Sequence, residues 1–185
     1  MAVFSIVVYG LFAVSEILIS RLLRSNTADT QQADARSLRL IWLMALVSLA
    51  AAIIITVTTQ LPIAATPVLH TVGLMLMVLG MAFRWSVIWS LGRLFTADVA
   101  IRQSHTLKTD GFYRYLRHPS YTALALTFLG LGLSLNNWLA LLVLLPIIPA
   151  LFNRIRIEEQ TLIRHFGQLY LDYMRRTKAL IPFVY

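Results

Sequence analysis

The sequence predicts an all-α integral membrane protein with about five transmembrane helices. Of its 185 residues, 58% are hydrophobic and only 13% are charged, whereas an average soluble domain has about 25% charged residues. The apolar residues are collected in long runs, and most charged residues lie between these runs. A bilayer core about 30 Å thick needs about 20 apolar residues in a helix, so each run is judged against that length.

Three runs are long enough to cross a bilayer as single helices. They cover residues 3–22, 40–59 and 68–91. The first run has neither the basic n-region nor the small-residue cleavage site of a signal peptide. We therefore expect it to be retained as a membrane span.

Two shorter apolar runs follow at residues 119–134 and 138–153. Only a few residues, including Asn136 and Asn137, separate them, which predicts a tight helical hairpin. Each run is slightly short for a full span, so the pair is expected to tilt, to thin the bilayer or to lean on the other helices.

The last hydrophobic helix and the tail complete the predicted architecture. Pro146 and Pro149 are expected to kink or locally unwind that helix, because proline removes a helical hydrogen bond. The stretch after residue 153 is amphipathic and basic, which favours a helical cytoplasmic tail. No internal repeat or second domain is evident, so residues 1–185 are interpreted as a single membrane domain.

The positions of the basic residues predict the orientation. All 16 are arginine except Lys108 and Lys178. They cluster in residues 21–39, in residues 93–118 and after residue 153, whereas the connections at the other ends of the helices carry no charge. The positive-inside rule then places the N-terminus outside and the C-terminus in the cytoplasm. A bacterial inner membrane and an endoplasmic reticulum membrane both satisfy this rule.

Composition also bounds the partners. Arginine clusters beside apolar helices are typical of loops that face anionic lipid headgroups, so we expect contacts with membrane lipids. None of the usual nucleic-acid-binding modules is present, and no nucleic-acid partner is expected. The chain has no cysteine, which excludes a disulfide and a thiolate zinc site, and no metal site is predicted.

Two charged residues, Glu16 and Arg84, lie inside apolar runs. Each is a turn or two from the expected cytoplasmic end of its helix, where a long side chain still reaches the interface. One interpretation is snorkelling or a structural ion pair between the two side chains. The other is that both line a polar cavity open to the cytoplasm.

The most unusual segment is GFYRYLRHPSYT, residues 111–122. It follows a turn at Asp110 and Gly111, and Pro119 suits the first position of a helix with His118 near the cap. A helix start here, surrounded by arginines, suits an anion such as a carboxylate or phosphate, and the tyrosine rings suit an adenine or a cation. An aromatic and basic interface belt is the alternative interpretation.

A second polar cluster follows the last hydrophobic run. Arg154 and Glu158 have the spacing of an ordinary helix salt bridge. Glu158 and Glu159 are adjacent, so their carboxylates point in different directions on a helix. At least one is then free for an ammonium or sulfonium group of a ligand.

These motifs resemble the isoprenylcysteine carboxyl methyltransferase family, within the wider group of membrane methyltransferases that includes phospholipid N-methyltransferases. The resemblance rests on HTLKTDGFYRYLRHPSY at residues 105–121 and EEQTLIRHFGQLYLDYMRRTKALIPF at residues 158–183. It covers the region 105–185, whereas the first three spans match only in hydropathy.

The resemblance implies S-adenosylmethionine as the methyl donor and a donor site within residues 105–185. Carried over by position, the cofactor-binding residues are His105, Leu107, Gly111, Tyr113, Arg117, His118, Tyr121, Glu158 and Glu159. The resemblance also implies that Arg176 is the catalytic residue and holds the carboxylate of the acceptor. An ionised carboxylate is already a nucleophile, so catalysis would rest on alignment, whereas an amine acceptor would first have to lose a proton.

The implied activity is carboxyl methylation of an isoprenylcysteine-like or other lipophilic acceptor. Three alternatives stay open at this point. The chain could be an N-methyltransferase for a phospholipid or small molecule, an NADPH-dependent membrane reductase, or a non-enzymatic membrane module that binds lipids or a partner.

Overall fold

The computed structural model describes residues 2–22, 35–95 and 106–181. These residues form seven α-helices joined by turns and short 3₁₀ segments, which confirms the predicted all-α class. The helices are α1 (Ala2–Leu22), α2 (Ala35–Thr58), α3 (Val68–Leu91), α4 (Pro119–Leu135), α5 (Trp138–Leu144), α6 (Ile147–Phe166) and α7 (Gln168–Arg176).

The helices have the lengths and composition of a multi-pass membrane protein. Four stretches are long and apolar enough to cross a bilayer: Val3–Leu22, Leu40–Thr58, Val68–Leu91 and Trp138–Phe166. Helix α4 is apolar but has only 17 residues. Large apolar side chains such as Phe4, Leu43 and Val57 are exposed on the outer faces of α1 and α2, where lipid would cover them.

The hairpin between α4 and α5 is built by two asparagines. Asn136 ends α4 in the left-handed conformation, with φ of 47°, which asparagine tolerates better than most residues. Its side chain accepts a hydrogen bond from Ala64 N and donates one to Ala64 O. Asn137 caps α5, because its Oδ1 accepts from Leu139 N and Ala140 N. The predicted tight hairpin is confirmed.

The last long helix is interrupted at Pro146. Helix α5 ends at Leu144 and α6 starts at Ile147, consistent with the missing N–H of the proline. Pro149 lies in the first turn of α6, where its missing N–H would have no intrahelical partner in any case. Helix α6 then continues to Phe166, so the pair Glu158 and Glu159 lies on a helix that continues out of the apolar bundle.

Helices α3 and α4 pack against each other at very short distance. A Cβ added to Gly73 would lie 2.6 Å from Gly130 O, and one added to Gly130 would lie 2.6 Å from Met77 N. Glycine therefore allows the two backbones to touch, as small residues do between membrane helices. This contact fixes the position of α4, whose first turn carries the polar motif.

We expect Gly73→Ala to lower the stability of the bundle by about 1–3 kcal/mol, because the added methyl group meets backbone atoms that cannot move aside. Gly10→Ala is the matched control, since a Cβ at Gly10 meets nothing within 4 Å. Thermal unfolding in detergent should show a lower midpoint for the first variant only. Equal midpoints for both variants would contradict the close contact.

Candidate active site

The loop before α4 is held by the C-terminal segment. Leu116 and Lys178 form a parallel bridge, and the amides of Arg117 and His118 donate to Lys178 O and Ala179 O at 2.8 and 3.1 Å. Gly111 starts the loop's 3₁₀ turn with φ of +59°, a conformation that glycine adopts without strain. The two motifs that are distant in sequence therefore meet at the start of α4.

Arg117 joins these two segments through its side chain. Its Nε donates to Glu159 Oε1 at 2.7 Å, and its Nη1 donates to Thr177 O at 2.6 Å and to Met174 O at 3.3 Å. His118 Nε2 lies 3.2 Å from the same Glu159 oxygen. Glu159 is thus engaged in holding the site together.

Glu158 points in the other direction, as expected for adjacent residues on a helix. Its Oε2 accepts from the Tyr121 hydroxyl at 2.7 Å, and its Oε1 lies 3.8 Å from His118 Nδ1. Arg154 Nε donates to the same hydroxyl at 3.2 Å, so Tyr121 stands between Arg154 and Glu158. The side chain of Glu158 is 31% exposed, against 16% for Glu159.

Three further tyrosines surround this cluster, and all three remain neutral donors at physiological pH. Burial and the nearby Glu158 charge raise the pKa of Tyr113, burial and the Glu159 charge raise that of Tyr170, and burial raises the pKa of Tyr173 to about 12. Tyr173 donates its hydroxyl to Tyr113 O at 2.6 Å.

The Tyr170 hydroxyl differs from its neighbours. Tyr170 is only 1% exposed, yet its hydroxyl has no hydrogen-bond partner among the residues that the structure describes. A buried hydroxyl left without a partner costs about 1–3 kcal/mol. Because Tyr170 lines a cavity, a ligand or a water in that cavity can bond to this hydroxyl.

That cavity has a volume of about 360 Å³ and two chemically different parts. Its polar part is lined by Lys108, Tyr113, Arg117, His118, Tyr121, Glu158 and Tyr170. Its apolar part is lined by side chains of α1, α2 and α4, among them Phe12, Leu49, Ile53, Leu124, Phe128 and Leu131. A water-soluble group and an apolar chain can therefore meet in one space.

A buried ion pair lies where the two parts meet. Arg84 Nη2 donates to Glu16 Oε2 at 3.1 Å, and Arg84 Nε lies 2.8 Å from Glu16 Oε1. Arg84 Nη1 also donates to the carbonyl and hydroxyl oxygens of Ser120 at 3.1 and 3.0 Å. Both charged residues line the cavity, so the pair is an ion pair and also part of the cavity wall. The opening of this cavity to the cytoplasm stays a prediction.

The structure brings most of the predicted donor-site residues together. Leu107, Tyr113, Arg117, His118, Tyr121 and Glu158 all line the cavity. Gly111 and Glu159 lie beside it and support the loop and Arg117. His105 lies outside the described residues.

Two predicted features differ from expectation in the structure: the amides at the start of α4, which were expected to be free for an anion, and the position of Arg176. The amides of Tyr121 and Thr122 both donate to His118 O, so these two amides of the α4 start are already used. Arg176 is exposed and donates from Nε to Asp172 O at 3.2 Å. It is not among the residues that line the cavity.

Comparison with known proteins decides the family. The sequence profile described as the isoprenylcysteine carboxyl methyltransferase family matches residues 72–164, which include α4, α5 and the glutamate pair. The chain belongs to the isoprenylcysteine carboxyl methyltransferase family. The resemblance predicted from the motifs is confirmed.

Individual members of the isoprenylcysteine carboxyl methyltransferase family are similar over much of the chain. Protein-S-isoprenylcysteine O-methyltransferase B of Arabidopsis thaliana is 34% identical over 115 residues, covering 60% of this chain and 58% of that protein. The Mus musculus protein-S-isoprenylcysteine O-methyltransferase is 34% identical over 119 residues, covering 63% of this chain and 42% of that protein. The chain thus spans about half the length of these relatives.

A solved structure of the same family shares the fold. The eukaryotic intramembrane Ras methyltransferase, an isoprenylcysteine carboxyl methyltransferase, matches 96% of this chain and 64% of its own with a TM-score of 0.69 and 28% identity. The likeness therefore extends to the first helices, which the sequence matched only in hydropathy.

Sequence reasoning did not assign several residues of this family member's cavity. Tyr170 stands in the motif F-G-x-x-Y-x-x-Y, and its i,i+3 spacing to Tyr173 places both on one face of α7; that spacing was the available signal. Arg84 and Glu16 are unusual charges within apolar runs, but the contact of Arg84 with Ser120 depends on how α3 packs on α4. Tyr9 gave no signal in the sequence.

Proposed function

We propose that this chain is an S-adenosylmethionine-dependent carboxyl methyltransferase that acts on a lipophilic acceptor of the isoprenylcysteine type. The single observation that carries the proposal is the cavity, in which a polar part with both charge signs continues into an apolar part beside Arg84. Such a space suits a water-soluble donor and an acceptor dissolved in the membrane.

The residues of the polar part suit the chemical groups of the donor. Glu158 offers carboxylate charge to an ammonium or sulfonium, and His118 and Lys108 suit a carboxylate. The rings of Tyr113 and Tyr121 suit an adenine or a sulfonium face. The Tyr170 hydroxyl, which has no partner among the described residues, offers a hydrogen bond that is not used within the protein.

The apolar part suits the lipid portion of the acceptor. Its walls come from α1, α2 and α4, and they carry leucine, isoleucine and phenylalanine side chains. Burying a prenyl chain there would remove apolar area from water at about 25 cal/mol per Å². The relatives are named for S-isoprenylcysteine, and an acceptor of that kind combines such a chain with a carboxylate.

Arg84 is the guanidinium placed where the acceptor carboxylate would lie. It lines the cavity next to Ser120, at the first turn of α4. Nε and Nη2 of Arg84 face Glu16, and Nη1 donates to Ser120, so among the described residues the second N–H group of Nη2 is the one left to hold the acceptor carboxylate. This alignment is the main catalytic requirement because an ionised carboxylate needs no general base. The donor, when bound, would supply a methyl group on its sulfonium sulfur: the carboxylate oxygen would bond to the methyl carbon as the carbon–sulfur bond breaks, leaving the neutral thioether. Arg176 remains the arginine that the family resemblance predicts for this role.

The orientation proposed from the sequence agrees with the position of the polar part. Lys108 and Arg117 lie at this end of the helices, and the positive-inside rule assigns it to the cytoplasm. The donor would then enter from the cytoplasm of a bacterium or from the cytoplasmic face of the endoplasmic reticulum.

Calorimetric titration of the detergent-purified protein with S-adenosylhomocysteine tests the donor site. We expect saturable binding by the wild-type chain. Tyr170→Phe removes only the hydroxyl, and we expect it to weaken binding about 2- to 10-fold, the worth of one hydrogen bond.

Tyr115→Phe is the matched control. Tyr115 is 55% exposed and does not line the cavity, so its variant should bind like the wild type. Absence of saturable binding by a correctly folded wild-type protein would refute the proposed function. Unchanged affinity in Tyr170→Phe would remove Tyr170 from the donor site.

A further inference from the structure

The apolar part of the cavity ends at a layer of three residues. Tyr9 on α1, Ile53 on α2 and Leu135 on α4 are the lining residues farthest from Glu158 along their helices. Tyr9 is the polar member of this layer, and it is the largest.

The Tyr9 ring is held by a hydrogen bond to α4. Its hydroxyl lies 2.9 Å from Ser134 Oγ, and Ser134 Oγ donates to Leu131 O at 2.8 Å. Since the serine proton is used in that second bond, Tyr9 is the donor and Ser134 Oγ the acceptor in the first. Tyr9 is therefore tied to the helix that forms one wall of the cavity.

A second set of hydrogen bonds, made by His70 on α3, holds the backbone of Ser134. His70 Nδ1 lies 2.5 Å from Ser134 O, and His70 Nε2 lies 2.9 Å from Ser5 Oγ. A carbonyl only accepts, so Nδ1 carries a proton and donates to Ser134 O. This chain of bonds joins α1, α3 and α4 at one level.

The backbones of α3 and α4 are in close contact at the same level as Tyr9. A Cβ on Gly73 would lie 2.7 Å from Ser134 Cα, so α3 and α4 are in direct contact beside Tyr9. An apolar chain that reaches Tyr9 cannot displace Ser134 without breaking both this contact and the hydrogen bonds around it.

We propose that Tyr9 is the floor of the acceptor site and sets the longest lipid chain that the site accepts. The inference rests on the proposed function, because it takes the occupant of the apolar part to be the single lipid chain of the acceptor. The length available to the lipid chain is the part of α4 from Ser120, beside Arg84, to Ser134, beside Tyr9. These positions are separated by about 21 Å along α4 at 1.5 Å per residue.

The test measures binding of acceptors of increasing chain length, independently of turnover. The probes are N-acetyl-S-geranyl-, S-farnesyl- and S-geranylgeranyl-L-cysteine, titrated into protein held in lipid nanodiscs. We expect Tyr9→Ala to raise the affinity for the geranylgeranyl compound relative to the geranyl compound by about tenfold, because a hydrophobic pocket discriminates by this order. Tyr9→Phe keeps the ring and should keep the wild-type ratio.

Two further variants make the result decisive. Leu135→Ala opens the same layer from α4 and should shift the ratio in the same direction, even if Tyr9→Ala does not fold. Leu11→Ala is the matched control on α1, because Leu11 is 57% exposed and does not line the cavity.

The outcomes separate this inference from the proposed function. If neither Tyr9→Ala nor Leu135→Ala changes the affinity ratio, the proposed role of Tyr9 as the limit on chain length is wrong. Binding with the expected shift but without methyl transfer would support that role of Tyr9 and refute the carboxyl methyltransferase proposal. Absence of binding by all three probes to the folded wild-type protein would overturn both.

Discussion

Replacing Glu158 with glutamine is expected to weaken S-adenosylhomocysteine binding by about 30-fold or more. Glu158 is the glutamate of the pair that lines the cavity, and its Oε2 is oriented by the Tyr121 hydroxyl at 2.7 Å. Glutamine keeps the size of the side chain and removes the charge that would meet the donor's ammonium. Truncating one partner of a buried charge pair typically costs about 2–5 kcal/mol, and calorimetric titration measures that loss.

Two other variants control for charge and for folding. Asp172→Asn removes a carboxylate from α7 that contacts Gln168 and Arg175, outside the cavity lining, and should leave binding unchanged. Glu159→Gln weakens the contacts with Arg117 and His118 and should lower thermal stability. Wild-type affinity in Glu158→Gln, with Glu159→Gln binding weakly in a folded state, would assign the donor contact to Glu159 instead.

The second large effect is expected from the ion pair between α1 and α3. Arg84→Met alone would leave the Glu16 carboxylate buried without its partner, which destabilises a protein strongly. The double variant Glu16→Gln with Arg84→Met removes both charges and avoids that penalty. We expect it to lower the rate of methyl transfer about 100- to 1,000-fold, since the acceptor carboxylate loses its orienting guanidinium, with little change in S-adenosylhomocysteine affinity.

Arg176→Met should be measured beside it. If Arg84 orients the acceptor, Arg176→Met retains most of the activity and the double variant Glu16→Gln with Arg84→Met does not. Full activity in the double variant, together with loss of activity in Arg176→Met, would return the catalytic role to Arg176 and leave the ion pair as a structural element.

Local chemistry explains which parts of the architecture could be predicted. Asn136 and Asn137 mark the hairpin because asparagine tolerates a left-handed backbone and caps helices with its side chain. Pro146 marks the interruption before α6 because proline lacks an N–H. Each of these features depends on residues that are close in the chain, so the sequence contains the whole cause.

The contacts of the site depend on packing between distant segments. Arg84 meets Ser120 where α3 packs on α4, one turn after Gly80, at which an added Cβ would lie 2.9 Å from Ala123 O. Tyr9 and Ser134 meet across two helices. The different positions of Glu158 and Glu159 also could not be predicted. Adjacent residues on a helix point in two directions, but the sequence does not say which of the two carboxylates faces the cavity.

The most direct test of the account is methyl transfer to a prenylated carboxylate. Purified protein in nanodiscs is incubated with S-adenosylmethionine labelled in its methyl group and with N-acetyl-S-farnesyl-L-cysteine, and the product is treated with alkali. A carboxyl methyl ester releases labelled methanol, whereas an N-methyl group survives the treatment. We predict methanol release that S-adenosylhomocysteine inhibits; labelled product that resists alkali, or no transfer by protein that binds S-adenosylhomocysteine, would contradict the account.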